Sequence, residues 1–235
     1  MKIIISIFIW VISLIYLLFF LLFTLACTYI FPENVYNPWI KKMMRFLFVL
    51  AGTKVKVEGL ENLESNKTYL FMANHVSLYD APLLGGFVPG MARAVEANRQ
   101  HRWPLYGKVM RRIGNIPIER ESTHGSVSSF KKTLLIINNG RSMILLPEGH
   151  RTLDGKMRPF KRLPFFLAKQ INKEIVPIGL SGLYKLKPKE SWIISPTTIK
   201  ISFGKVISKE TIDKLSSDEL RDYVQKEIVN LVDKP

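Results

Sequence analysis

Asn74-His75-Val76-Ser77-Leu78-Tyr79-Asp80 places an imidazole and a carboxylate five residues apart. On a regular helix, residues five apart diverge by about 140°, at roughly 3.6 residues per turn. The two side chains meet only if His75 lies just before a helix and Asp80 sits in its first turns. The carboxylate then accepts the imidazole N–H and fixes the tautomer. The other ring nitrogen is left free to act as a base. No serine or cysteine stands in a context that suits a nucleophile, so the chemistry implied is direct activation of a substrate hydroxyl. The same pair would also serve as a structural link at a helix start, and this block alone leaves both readings open.

Positioning such a pair requires a strand that ends just before it. Tyr69-Leu70-Phe71-Met72 is a short apolar run of that kind. The ends of strands in α/β sheets are where catalytic groups gather. After the block comes a mostly apolar helical segment, Ala81 to Phe87, interrupted by Gly85-Gly86 and closed by Pro89-Gly90. Strand patterns recur at 54–58, 93–96, 116–118, 142–146, 174–180 and 197–203. Helical patterns fall between them: one ends near Gly114, one runs from Val127 to Asn139, and one covers Phe166 to Gln170. The tail from Ser208 reads as two helical pieces. The second opens with the capping box Ser216-x-x-Glu219 and carries an apolar stripe of Leu220, Val224, Ile228 and Leu231. The pattern predicts an α/β fold over residues 51–235, a central mixed sheet flanked by helices.

Three further blocks follow in order: Gly114-Asn115-Ile116-Pro117-Ile118-Glu119-Arg120, Leu146-Pro147-Glu148-Gly149-His150-Arg151 and Ile175-Val176-Pro177-Ile178-Gly179. In this order and at these distances, the four blocks resemble the glycerolipid acyltransferase family, especially its bacterial 1-acylglycerol-3-phosphate acyltransferases. The resemblance spans roughly residues 55 to 205. It implies transfer of a fatty acyl group from a thioester, acyl-CoA or acyl-carrier protein, to the 2-hydroxyl of 1-acylglycerol 3-phosphate, making phosphatidic acid in phospholipid synthesis. It implies no metal and no cofactor beyond that donor substrate. His75 becomes the base and Asp80 its orienting partner. Asn74, Arg120, Glu148, Gly149, Arg151 and Lys161 go with the acceptor. Arginine suits this task because its planar fork can make two parallel bonds to a phosphate. Glu148 would hold a substrate hydroxyl or pin an arginine. Val176, Pro177 and Ile178 line the acyl-donor side, or are plain core. The chain departs from the commonest family pattern at His150, where threonine is usual, and at Leu163, where glycine is frequent.

Charge and hydropathy set the surroundings. The 235 residues carry a net charge of +15, and residues 91–163 hold 15 Lys/Arg against 5 Asp/Glu. Such an excess implies an anionic partner. Residues 3–31 contain no charge. As a helix they would reach about 43 Å against a hydrocarbon core of about 30 Å. They could span with tilt, or bend and stay in one leaflet. Asn37 to Leu50 then sets Trp39, Ile40, Met43, Phe46, Leu47 and Leu50 at mostly helical spacing, with Lys41, Lys42 and Arg45 on the other side. That is the pattern of an interfacial helix with Trp39 as headgroup anchor, or of an ordinary core-facing helix. Residues 1–50 are thus read as membrane-anchoring helices, a membrane-associated element. The basic residues that follow place the catalytic part on the cytoplasmic side, at the inner membrane if the protein is bacterial. Partners expected are membrane lipids and the lysophospholipid acceptor, not nucleic acid. Two alternatives remain: the same chemistry on another lysolipid or on glycerol 3-phosphate, and a non-catalytic basic module tethered to a membrane. The histidines His75, His101, His124 and His150 show no metal-ligand spacing. Cys27 is the single cysteine, so no internal disulfide is possible.

Overall fold

In the computed structural model, residues 2–118, 140–171 and 173–232 are described. The helical stripe expected at Val127 to Asn139 lies outside them. The chain begins with two long helices, α1 (Lys2–Ile30) and α2 (Glu33–Leu50). Pro32 separates them, since a proline at that point cannot continue the first helix. Strand β1 (Lys54–Glu58) follows, then β2 (Leu70–Ala73), α3 (Asp80–Phe87), β3 (Ala92–Ala97), α4 (Asn98–His101), α5 (Pro104–Ile113) and β4 (Ile116–Ile118). After residue 140 come β5 (Ser142–Leu145), α6 (Leu163–Gln170), β6 (Ile175–Ser181), α7 (Leu183–Leu186), β7 (Thr198–Phe203), α8 (Lys209–Lys214) and α9 (Ser217–Leu231).

The seven strands form one mixed sheet in the order β1-β7-β6-β2-β5-β3-β4. β6 and β7 are antiparallel, and every other neighbouring pair is parallel. The five strands from β6 to β4 therefore bring their C-terminal ends to one edge. β2 and β6 are buried throughout, as strands covered on both faces should be. Their side chains alternate between two cores. Phe71, Ala73, Val176 and Ile178 pack on one face with Phe48 of α2 and Leu83 and Leu84 of α3. Leu70, Met72 and Ile175 pack on the other with Phe165 of α6, Ile212 of α8, and Leu220, Val224 and Ile228 of α9. The capping box at Ser216 and Glu219 is formed, with both reciprocal bonds present.

Pro177 lies inside a central strand, where a missing N–H is usually costly. Its carbonyl accepts from Gly204 N at 2.8 Å, just past the end of β7, so the absent donor faces the place where the ladder stops.

The helix at Asp80 is not interrupted by Gly85-Gly86. A Cβ at Gly85 would come 2.4 Å from Met44 Sδ, and one at Gly86 would come 3.2 Å from Arg45 Cγ. The two glycines let α3 lie directly on α2. Lys41 and Arg45 were expected to face away from the core side of α2. Instead Lys41 Nζ donates to Val88 O at 2.5 Å and Arg45 Nε to Gly86 O at 2.8 Å. They satisfy carbonyls left open at the C-terminal end of α3, the end that attracts positive charge.

Helix α1 is docked along its length. Ile194 N donates to Ser6 Oγ at 3.0 Å and Trp10 Nε1 to Trp192 O at 2.6 Å. Near the far end, Arg112 of α5 donates to Thr28 Oγ1 and Thr28 O. The outer side of α1 is apolar and exposed, with Ile4, Phe8, Val11, Ile15, Phe19 and Ile30 among its residues.

Candidate active site

The parallel edge assembles the site. β2 ends at Ala73, and the turn that follows carries His75. Asp80 is the first residue of α3. The condition that the spacing imposed is met: His75 Nδ1 and Asp80 Oδ2 are 2.6 Å apart. Asp80 is 1% exposed and accepts two more bonds, from Val76 N at 2.7 Å and Ser77 N at 3.0 Å. The carboxylate thus folds the turn that carries its own histidine. Three donors on one buried carboxylate fix its rotamer and that of the ring. Nδ1 is the protonated nitrogen in the neutral ring, because its partner can only accept. Nε2 has no hydrogen-bond partner among the described residues.

The loop after β5 clamps the same turn from the other side. Glu148 is 3% exposed and accepts from His75 N at 2.6 Å and from Arg158 N at 2.8 Å. Thr152 N donates to His75 O at 3.0 Å. Both backbone groups of His75 are therefore held by residues 148–152. Burial pushes the Glu148 carboxyl up to about 7, against the pull of the His75 and Arg158 N–H groups and with the help of the Asp80 charge. Glu148 was expected to meet a substrate hydroxyl or an arginine side chain. Its two oxygens instead engage backbone N–H groups, which leave no trace in a sequence pattern.

Gly149 has φ 74°, a left-handed conformation that favours glycine. A Cβ there would also lie 2.9 Å from Lys161 Cε and 3.1 Å from Lys161 Nζ. The Lys161 chain therefore crosses directly over Gly149, next to Glu148. Arg151 is half-buried one residue before Thr152, and His150 is exposed. Arg120 lies outside the described residues, two beyond the end of β4. Leu163, in place of the family glycine, opens α6 and packs against the second core.

Other expected residues fall elsewhere. The Asn74 amide donates to Leu180 O at 3.0 Å and accepts from Leu180 N at 2.8 Å. With both polar ends engaged and 4% exposure, it straps β2 to β6. Val176, Pro177 and Ile178 are buried in the middle of β6, where Val176 and Ile178 are packed under α2 and α3. Ile178 stands opposite Ala73, the last residue of β2, while Val176 and Pro177 lie deeper in the sheet. Ser77 was not singled out from the sequence, yet its hydroxyl donates to Lys187 O at 2.8 Å and ties the turn to the segment after β6. Among the described residues, no three His, Cys, Asp or Glu converge as a metal site would require.

The arrangement is an oriented imidazole on a rigid turn, clamped by a loop that carries Arg151 and Lys161. Residues 54–181, more than half of the chain, match the model of the acyltransferase family, and the chain belongs to that family. Among its relatives, it is 28% identical over 199 residues to the chloroplastic 1-acyl-sn-glycerol-3-phosphate acyltransferase BAT2 of Brassica napus, covering 84% of this chain and 57% of the relative. It is 28% identical over 214 residues to the 1-acyl-sn-glycerol-3-phosphate acyltransferase of Saccharomyces cerevisiae, covering 88% and 69%. The enzyme of that name from Borreliella burgdorferi is 26% identical over 183 residues, covering 77% and 72%. The chain spans between about half and two thirds of the length of the plant relatives it matches. In fold it is similar to the crystal structure of the 1-acyl-sn-glycerophosphate acyltransferase PlsC from Thermotoga maritima. The TM-score is 0.84 at 23% identity, covering 97% of this chain and 93% of that one.

Proposed function

We propose that the chain is an O-acyltransferase that moves a fatty acyl group from a thioester to the 2-hydroxyl of 1-acylglycerol 3-phosphate, yielding phosphatidic acid. The observation that carries this reading is the 2.6 Å contact between His75 Nδ1 and Asp80, inside a segment that matches the acyltransferase family. The names of the relatives support the choice of acceptor.

In this mechanism His75 Nε2 takes the proton of the acceptor hydroxyl as its oxygen attacks the thioester carbonyl. The tetrahedral adduct collapses, the C–S bond breaks, and the leaving sulfur takes the proton back from the imidazolium. Asp80 stabilises that imidazolium and keeps the ring turned toward the substrate. A base placed this way contributes about 10²–10⁴-fold in rate. Arg120 and Arg151 hold the acceptor phosphate, and Lys161 adds positive charge near Glu148. The donor is acyl-CoA or acyl-carrier protein.

The exposed apolar side of α1 supports a membrane location, since only 22% of its most apolar stretch is buried. Its contacts support a position in the plane of one leaflet. Ser6 and Thr28 are about 33 Å apart along a helix, yet both touch the same folded unit. A helix crossing the bilayer would carry those two points to opposite surfaces. The site would then stand at the level of lysolipid headgroups, on the cytoplasmic side, as the basic residues after α1 suggest.

The test is an acceptor panel. Detergent-purified protein is given acyl-CoA or acyl-carrier protein with 1-acylglycerol 3-phosphate, lysophosphatidylcholine, lysophosphatidylethanolamine or glycerol 3-phosphate, and products are read by mass spectrometry. Phosphatidic acid as the dominant product is expected. Preference for another acceptor by tenfold or more would overturn the assignment.

A further inference from the structure

Lys187 is a buried cation with no acid paired to it among the described residues. It follows α7, on the segment that leaves β6 at the same edge as His75. It is 7% exposed. Its ammonium donates to Pro188 O at 3.1 Å and Lys189 O at 3.4 Å, which leaves one of its three N–H groups without an acceptor among the described residues. Burial, and then the charge of Arg151, hold it below the usual lysine range. Arg93, similarly buried, is instead paired with Glu33, and Arg141 joins the same carboxylate. Lys41, beside Arg45, also lacks an acid, but it donates to Val88 O at the C-terminal end of α3, whose dipole offsets its charge. Burying an ammonium near a second cation without an anion is unfavourable. An anionic ligand would supply the missing charge, and perturbed groups of this kind cluster at functional sites.

Both cations are attached to the turn that carries the base. Ser77 Oγ donates to Lys187 O, and Thr152 N, next to Arg151, donates to His75 O. Lys185 and Lys189 differ from Lys187 in being more exposed. They are the ordinary lysines of the run Lys185-Leu186-Lys187-Pro188-Lys189.

We propose that Lys187 and Arg151 form a seat for a phosphate ester beside His75. The proposal rests on the acyl-transfer reading for the identity of the ester, which is either the monoester of the acceptor or a phosphate of the thioester donor. The two sources share one chemistry, a phosphate oxygen accepting from an ammonium and a guanidinium.

The experiment uses the full chain in detergent, as wild type, Lys187→Gln, Lys187→Arg and Lys185→Gln. KM is measured separately for 1-acylglycerol 3-phosphate and for acyl-CoA. Binding of glycerol 3-phosphate and of coenzyme A is measured by thermal shift, without turnover. Lys187→Gln is expected to raise one of the two KM values at least tenfold, with kcat within threefold. It is also expected to weaken binding of the matching phosphate ester by a similar factor. The substrate affected identifies the source. Lys187→Arg should recover most of the loss, and Lys185→Gln should change nothing. Both KM values within twofold of wild type, or a loss confined to kcat, would overturn the seat. If Lys187→Gln does not fold, Lys187→Met decides by the same criteria, with one KM and its matching ester affinity expected to shift tenfold and an unchanged pair overturning the seat. Binding of a phosphate ester that depends on Lys187, in a protein that makes no phosphatidic acid, would sustain the seat and sink the assigned reaction.

Discussion

At the scale of residues, the site is a turn whose geometry is enforced from two sides. Asp80 gathers His75 Nδ1 and two backbone N–H groups, and Glu148 gathers His75 N and Arg158 N. Asp80→Asn puts an amide N–H where one of these donors now points. It is expected to lower kcat by about 10²-fold or more, within the range for a displaced base, with KM for the acceptor little changed. Glu148 gives a pH signature of two opposite signs. Its folded carboxyl titrates near 7, above its ordinary value of 4.5. A raised carboxyl stabilises the fold fully below its unfolded pKa, and that contribution fades as pH rises through 7. The whole effect is at most about 3 kcal/mol at 1.36 kcal/mol per pH unit. Glu148→Gln lacks this dependence, so urea unfolding should show the variant gaining on wild type between pH 5 and pH 8. Turnover moves the other way. Ionisation makes the carboxylate the stronger acceptor for both N–H groups, so wild-type kcat should rise as pH passes through 7, and Glu148→Gln should lack that step. An identical pH profile in wild type and Glu148→Gln would remove Glu148 from the clamp.

At the scale of elements, the contacts that position the edge are long-range, and this separates what the sequence made legible from what it did not. The strand before His75 and the helix at Asp80 were readable, because a buried run and a five-residue spacing are local. The seven-stranded mixed sheet followed from strand patterns of the same local kind. Glu148 is visible in the sequence but its partners are not, since backbone donors have no residue type. Lys187 was hidden in a lysine run that looks like a solvated face. Lys41 and Arg45 fall on the outer side of the helical pattern, because periodicity defines faces, not what lies against them. Their partners, the carbonyls of α3, are met only because Gly85 and Gly86 let the two helices touch. Gly86→Val is therefore expected to destabilise by about 1–3 kcal/mol through overpacking, measured by thermal or urea unfolding. Glu33, at the start of α2, pairs with Arg93 and Arg141 at the other end of the sheet. Glu33→Gln leaves the buried Arg93 without its counter-charge and should cost about 3–5 kcal/mol. A change below 1 kcal/mol would show that the helix pair is held by apolar packing alone.

At the scale of the whole molecule, an apolar helix lies along a basic α/β unit, and the account requires both to face one membrane surface. Ser6 and Thr28 mark the ends of the docked stretch. With Cys27 replaced by Ala, single cysteines at positions 2 and 34 in sealed vesicles should react with a membrane-impermeant maleimide from the same side. Labelling from opposite sides would mean that α1 crosses the bilayer. The central claim is chemical, however: one imidazole, aimed by one carboxylate, activates a lipid hydroxyl for acyl transfer. The direct measurement is phosphatidic acid formed per enzyme from 1-acylglycerol 3-phosphate and acyl-CoA or acyl-carrier protein, for wild type and His75→Ala, with equal folding confirmed by circular dichroism. The account predicts product from wild type and a loss of at least about 10²-fold in the variant. Equal rates in the two proteins would contradict it.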